Sequence, residues 1–227
     1  VFVRLEQRRK PHLPWATIAL IAICVAVFAW LTLLPPDTRA LLLRRWGTVP
    51  SSLFDAQVPL SVQWLELRPA RLFTALFIHV GWLHLIGNLL FLMIFGLPAE
   101  RSLGSTRFLL LFLVGGALAN LAGALTLANA NAPIVGSSGA VSAIVGAYSA
   151  LFPRARLGLV LPLGLFLEFV RVPAAALIGF WIGLQFLFTF VGPAFGAVAW
   201  WTHIAGFAIG ILFALVSRPA LARRLRE

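Results

Sequence analysis

The chain has 227 residues, 61% of them hydrophobic and only 11% charged, with 18 basic against 7 acidic side chains. A soluble domain is about half apolar and about a quarter charged, so this balance excludes a soluble enzyme, a disordered tail and a fibrous repeat. The net charge of +11 is no sign of a nucleic-acid partner, because the basic residues punctuate long apolar runs and do not cluster on one soluble face.

The charge-free stretches count the membrane crossings. They run over Pro11–Pro36 (26 residues), Leu72–Ala99 (28), Phe108–Pro153 (46) and Val172–Ser217 (46). A helix crosses the hydrocarbon core with about 20 residues, so the first two stretches hold one span each and the last two hold a pair each. An all-α, polytopic, six-span bundle in a lipid bilayer follows. The expected spans are Trp15–Leu34, Gly81–Phe95, Thr106–Leu127, Ser138–Leu151, Pro173–Val191 and Trp200–Ser217. The fourth is short for a lipid-facing helix and is expected to be wrapped by the others.

Ahead of the first span stand Arg4, Arg8, Arg9 and Lys10, a basic segment (1–14) of the signal-anchor type, and no small-residue cleavage site follows Leu34. Cys24 lies inside the first span with no second cysteine and no metal-ligand spacing near it, so a buried inert thiol is expected, without metal or cofactor. The long connection 35–71 mixes Trp46, Trp64 and several leucines with Arg and Glu, the composition of a segment lying at the headgroups. Leu157–Phe169 is expected to lie flat before the fifth span, and 218–227 to form a basic tail; no soluble domain is expected on either flank. With six spans, 13 of the 18 basic residues fall on the side that holds both termini, which predicts cytoplasmic termini.

Three polar groups interrupt the apolar helices, where polar residues are expensive and commonly functional. His79 precedes the second helix, whose His84 and Asn88 are four apart and share one face. Gly136-Ser137-Ser138-Gly139 opens the fourth helix, and Thr202-His203 with Gly206 enters the sixth. Helices two, four and six run in the same direction, so all three groups converge near the outer face. Small residues, Ser138, Ser142, Gly146 and Ala150 in the fourth helix and Gly206 and Gly210 in the sixth, allow close approach of the two backbones.

The chemistry this suits is nucleophilic acyl transfer: a serine activated by a histidine base, with donors aimed at a developing oxyanion. Each group alone also has a plain structural reading, as a helix cap, a packing contact or a hydrogen-bonded core histidine. Ser137 is expected as the cap-like residue, Tyr148 and Met93 as packing, and Trp200 and Trp201 as an interfacial belt. No acid sits near the histidines in sequence. Unless Asp37, Asp55 or Glu66 folds back from the long loop, a Ser–His dyad is expected over a triad.

These motifs, in order, resemble the rhomboid family of intramembrane serine proteases, over about residues 70 to 215. The resemblance rests on His84…Asn88, Gly136-Ser137-Ser138-Gly139, His203-Ile204-Ala205-Gly206, the Ala199-Trp200-Trp201 lead-in and the Glu100…Gly104 turn. It implies Ser138 as nucleophile, His203 as base, and His84, Asn88 and the Ser138 N–H as the oxyanion hole, with Gly136, Gly139, His79 and Gly206 in support. Two positions depart from the pattern. The variable motif position is itself a serine, Ser137, and Ser142 stands where some members place an aromatic that stacks on the base. Implied with the family are transmembrane protein substrates, small side chains before the scissile bond, no cofactor and a cell membrane, of the bacterial inner-membrane type. The fifth helix and the Gly192–Val198 loop are expected to move to admit substrate. The alternatives are a rhomboid-like pseudoprotease that binds client helices without cutting them, and a small transporter with a histidine proton relay.

Overall fold

The computed structural model describes residues 13–163, 166–191 and 199–224. Within them are six apolar helices: α1 (Trp15–Thr32), α2 (Trp82–Leu103), α3 (Ser105–Thr126), α4 (Ser138–Leu151), α5 (Ala174–Val191) and α6 (Trp200–Arg224). Five have the length and hydropathy to cross a membrane, and the shorter α4 completes a polytopic helical bundle. Arg4, Arg8, Arg9, Lys10, Arg226 and the Gly192–Val198 loop lie outside the described residues.

α4 is the axis of the bundle. At 14 residues it is about 21 Å long, too short to span the hydrocarbon alone, and every residue from Gly139 to Tyr148 is buried. Its principal neighbour is α6, against which small residues remove the side-chain layer that normally separates two helices. A Cβ added at Gly146 would collide with the Phe207 carbonyl, one at Gly206 with the Gly139 carbonyl, and one at Gly210 with the Ala143 carbonyl. Tyr148 is packed as expected, edge-on to Phe95 at 5.0 Å. Met93 is 49% exposed and so faces outward, contrary to its expected packing role.

α2 extends eight residues past its expected end at Phe95, to Leu103. Its Leu92–Gly96 stretch is a π-helical turn. Pro98 has no N–H for the carbonyl four residues earlier, and a widened turn just ahead of it absorbs that mismatch. The α2–α3 corner turns on Gly104, whose φ of +81° is open to glycine alone at little cost.

Glu100 ties this corner to α1. Its carboxylate accepts from Ala16 N (3.0 Å), Thr17 N (2.7 Å), Thr17 Oγ1 (2.7 Å) and the Ser105 hydroxyl, and the side chain is fully buried. The first N–H groups of a helix have no partner of their own, so an anion supplied from 83 residues away caps α1. Glu100→Gln turns an amide N–H₂ toward donors. It is expected to lower stability by about 2–4 kcal/mol, measured as the unfolding midpoint in detergent.

The segments between and beyond the spans have regular structure of their own. The long first loop is folded: a helix over Pro36–Trp46 and short helical turns at Pro50–Leu53, Leu60–Leu65 and Arg71–Thr74. It is tied down by Arg39 Nη2 donating to the Val80 carbonyl (2.7 Å) and by Thr74 Oγ1 donating to the Trp46 carbonyl (2.6 Å). The flat segment ahead of α5 is an antiparallel hairpin, β1 (Arg156–Leu163) with β2 (Phe166–Pro173), which suits a run of Leu, Val and Phe on either side of Gly164. α6 continues past Ser217 to Arg224, so most of the expected tail is helix. Cys24 is a buried free thiol, as expected.

Candidate active site

α4 begins where the chain makes a turn that only glycine accommodates well. Gly136 has φ +115°, and its N–H donates to the Ala75 carbonyl at 2.9 Å, which fixes the start of the helix against the segment leading to α2. Two consecutive serines then face different ways. Ser137 is fully buried, and its hydroxyl lies 3.2 Å from His79 Nε2. It occupies the N-cap position, but its side chain makes no capping hydrogen bond, so the expected cap role is replaced by the contact with His79. Ser138 is half-buried and lines a cavity of about 610 Å³.

The close packing of α4 on α6 brings His203 to Ser138. Ser138 Oγ and His203 Nε2 are 2.9 Å apart, a hydrogen bond between residues 65 positions apart in sequence. His84 and Asn88, from α2, line the same cavity. Asn88 Nδ2 donates one hydrogen to the His84 carbonyl at 2.9 Å, which orients the amide across one helical turn. Ser142, one turn along α4, donates to the Ser138 carbonyl at 2.6 Å and also lines the cavity. Gly139 and Gly206 meet at the α4–α6 crossing directly beside the pair.

His79 stands behind the cavity wall, its ring 5.1 Å from that of His84. Burial, with the His84 imidazole adding to it, pushes His79 down to about 4 from its ordinary 6.5. The unfolded chain therefore binds this proton more readily than the folded one. Stability is whole above pH 6.5 and declines as pH falls from 6.5 towards 4. The unfolding midpoint at pH 5 is expected below that at pH 7.5, and His79→Gln is expected to flatten the difference.

Two residues at the site had no expected role or a different one. Gln185 of α5 places Oε1 2.7 Å from His203 Nδ1. Its signal in the sequence is a lone uncharged amide inside a span, in mid-helix and away from the other polar groups. Trp200 also stacks on Phe188 at 5.0 Å and stands nearly perpendicular to the His203 ring at 6.0 Å. The loop acids do not fold back: Glu66 pairs with Arg68 at 2.6 Å and Asp55 lies 4.0 Å from the same guanidinium. Among the described residues no carboxylate contacts His203.

The arrangement is a serine hydroxyl bonded to an imidazole at the wall of a cavity, beside His84, Asn88 and the N-terminus of α4, all within an apolar bundle. Comparison with known proteins bears on it directly. A family model described as "Rhomboid domain" matches residues 66–220. The chain is 39% identical over 80 residues to human "Rhomboid-related protein 3", covering 35% of this chain and 19% of that protein. It is 36% identical over 77 residues to "RHOMBOID-like protein 6, mitochondrial" of Arabidopsis thaliana, covering 34% and 24%. "RHOMBOID-like protein 5" of the same plant is 34% identical over 77 residues, covering 34% and 25%. The chain thus spans a quarter or less of the length of these relatives. With a family match that takes in more than half of its residues and every side chain of the site, the chain belongs to the rhomboid family.

Proposed function

We propose that this chain is a serine endopeptidase that hydrolyses peptide bonds in or near the transmembrane segments of membrane proteins, using a Ser138–His203 dyad. The observation that carries the proposal is the 2.9 Å contact between Ser138 Oγ and His203 Nε2 at the wall of a cavity in an apolar bundle. Ser138 Oγ attacks the scissile carbonyl carbon as His203 Nε2 takes its proton. The carbonyl oxygen becomes an oxyanion, to which the Ser138 N–H, Asn88 and His84 offer hydrogen bonds. Collapse breaks the C–N bond, His203 returns the proton to the leaving amine, and an acyl-enzyme remains on Ser138. Water, deprotonated by His203, then releases the acid and restores the serine.

A transmembrane substrate hides its peptide bonds in helical hydrogen bonds, so it must unwind locally to reach Ser138. Substrates with glycine or proline near the cut are therefore favoured. The positive-charge count supports a reading with both termini in the cytoplasm and the cavity towards the outer face of a cell membrane.

The test is purified chain with a serine-reactive fluorophosphonate and a single-span substrate in liposomes. Adduct formation on Ser138, together with cleavage near the substrate's outer end, supports the proposal. Co-purification of the substrate without adduct or cleavage supports instead the binding of client helices without cutting.

A further inference from the structure

We propose that Gln185 is the positioning residue for His203, holding its imidazole in the tautomer and orientation that a general base requires. The inference rests on the acyl-transfer reading above and concerns how that site is kept competent.

A base that accepts the Ser138 proton on Nε2 must carry its own hydrogen on Nδ1. The orientation of a histidine is set by the bond its other nitrogen makes, and here that bond runs from Nδ1–H to Gln185 Oε1 at 2.7 Å. Trp200 stands 6.0 Å away and nearly perpendicular, closing off the ring on another side. These two residues do together what no aromatic at position 142 does here, since Ser142 bonds only to the backbone of its own helix.

The cost of Gln185 points the same way. α5 buries only Ala174, Ile178 and Gln185 along its seam with the bundle. Ala174 and Ile178 are what such a seam ordinarily holds; an amide within an apolar span is expensive and is repaid only by a specific partner. The amide oxygen takes the Nδ1 hydrogen as a carboxylate oxygen would, and does so without adding a buried charge. Since α5 has the fewest buried residues of the long spans, the orientation of the base depends on the element least anchored to the rest.

The experiment uses the full chain in detergent and in liposomes, with a small fluorophosphonate as probe and a single-span peptide as substrate. It compares wild type, Gln185→Leu and Gln185→Glu, each at matched folded fraction from its thermal unfolding curve. Gln185→Leu is expected to slow adduct formation on Ser138 and to lower kcat, each by about 10- to 100-fold, with KM within about two-fold. Gln185→Glu, which keeps an acceptor oxygen in place, is expected to recover most of the labelling rate. A merely structural role would lower the folded fraction and leave the rate per folded molecule unchanged. That result, or a Gln185→Glu chain as slow as Gln185→Leu, overturns the proposal. A wild-type chain that neither labels at Ser138 nor cleaves sinks the acyl-transfer reading and this inference with it. Labelling of wild type that is indifferent to position 185 sinks this inference alone.

Discussion

Ser138→Ala is expected to reduce turnover of a transmembrane substrate by about 10⁴-fold or more, to the background of the assay. In the proposed reaction Ser138 forms the covalent intermediate, and no other described hydroxyl is bonded to His203. His203→Ala is expected to cost as much, and the double variant no more than either single one, because a nucleophile and its base act as a unit. Ser137→Ala is the discriminating control. Its hydroxyl is fully buried and faces His79 Nε2 at 3.2 Å, away from the cavity. Removing it leaves a buried imidazole nitrogen without its partner, at a cost of about 1–3 kcal/mol in stability. Turnover per folded molecule is expected to stay within a few-fold of wild type. Asn88→Ala, by contrast, is expected to lower kcat by about 10²-fold, the usual cost of one oxyanion donor. The measurement is kcat on a fluorogenic single-span substrate, with mass spectrometry to locate the fluorophosphonate adduct. An adduct on Ser137, or turnover surviving in Ser138→Ala, would sink the assignment.

Gly146→Val is expected to have the largest effect on the fold and to abolish the site as a consequence. The obstruction at Gly146 is the backbone of Phe207, its carbonyl oxygen, carbonyl carbon and Cα. A flexible side chain tip swings aside at small cost, but a helix backbone moves only if the whole helix moves. Ordinary overpacking costs about 1–3 kcal/mol, and a backbone-on-backbone clash belongs at or above the upper end of that range. Separating α4 from α6 also separates Ser138 from His203, and a misplacement of about 1 Å between reacting groups costs about 10²-fold in rate. Gly206→Ala and Gly210→Ala meet carbonyls in the same way, those of Gly139 and Ala143, and are expected to follow in milder form. Gly179→Ala on α5, where a Cβ meets nothing within 4 Å, is the matched control. It is expected to change stability by no more than about 0.5 kcal/mol. Unfolding midpoints in detergent and labelling rates at Ser138 report the two consequences separately. Gly146→Val with wild-type stability would show that α4 and α6 do not approach as closely as this contact requires.

Properties of single helices were legible in the residues alone. Whether a stretch prefers lipid depends on its own side chains, so the charge-free runs placed the spans, and α4 was visibly too short to face lipid. Motif order along the chain, His84…Asn88, then Gly136–Gly139, then His203…Gly206, indicates one polar site because each motif stands at the start of every second span. The small residues of α4 and α6 likewise announced a close crossing before any packing was known. Contacts between helices were not legible to the same degree. Ser137 and Ser138 are neighbours in sequence, and only the rotation of α4 about its axis sends one to His79 and the other to the cavity. In the sequence Glu100 marks only the turn before Gly104, and it is the packing of α1 that brings the first N–H groups of that helix, Ala16 and Thr17, to its carboxylate. Gln185 was an inconspicuous amide in an apolar run, since nothing along α5 says which neighbour its single buried seam will meet. Hydrophobic burial acts on each residue by its own composition and so can be read one segment at a time; hydrogen bonding between helices requires direction and distance, which arise only when the backbones have packed.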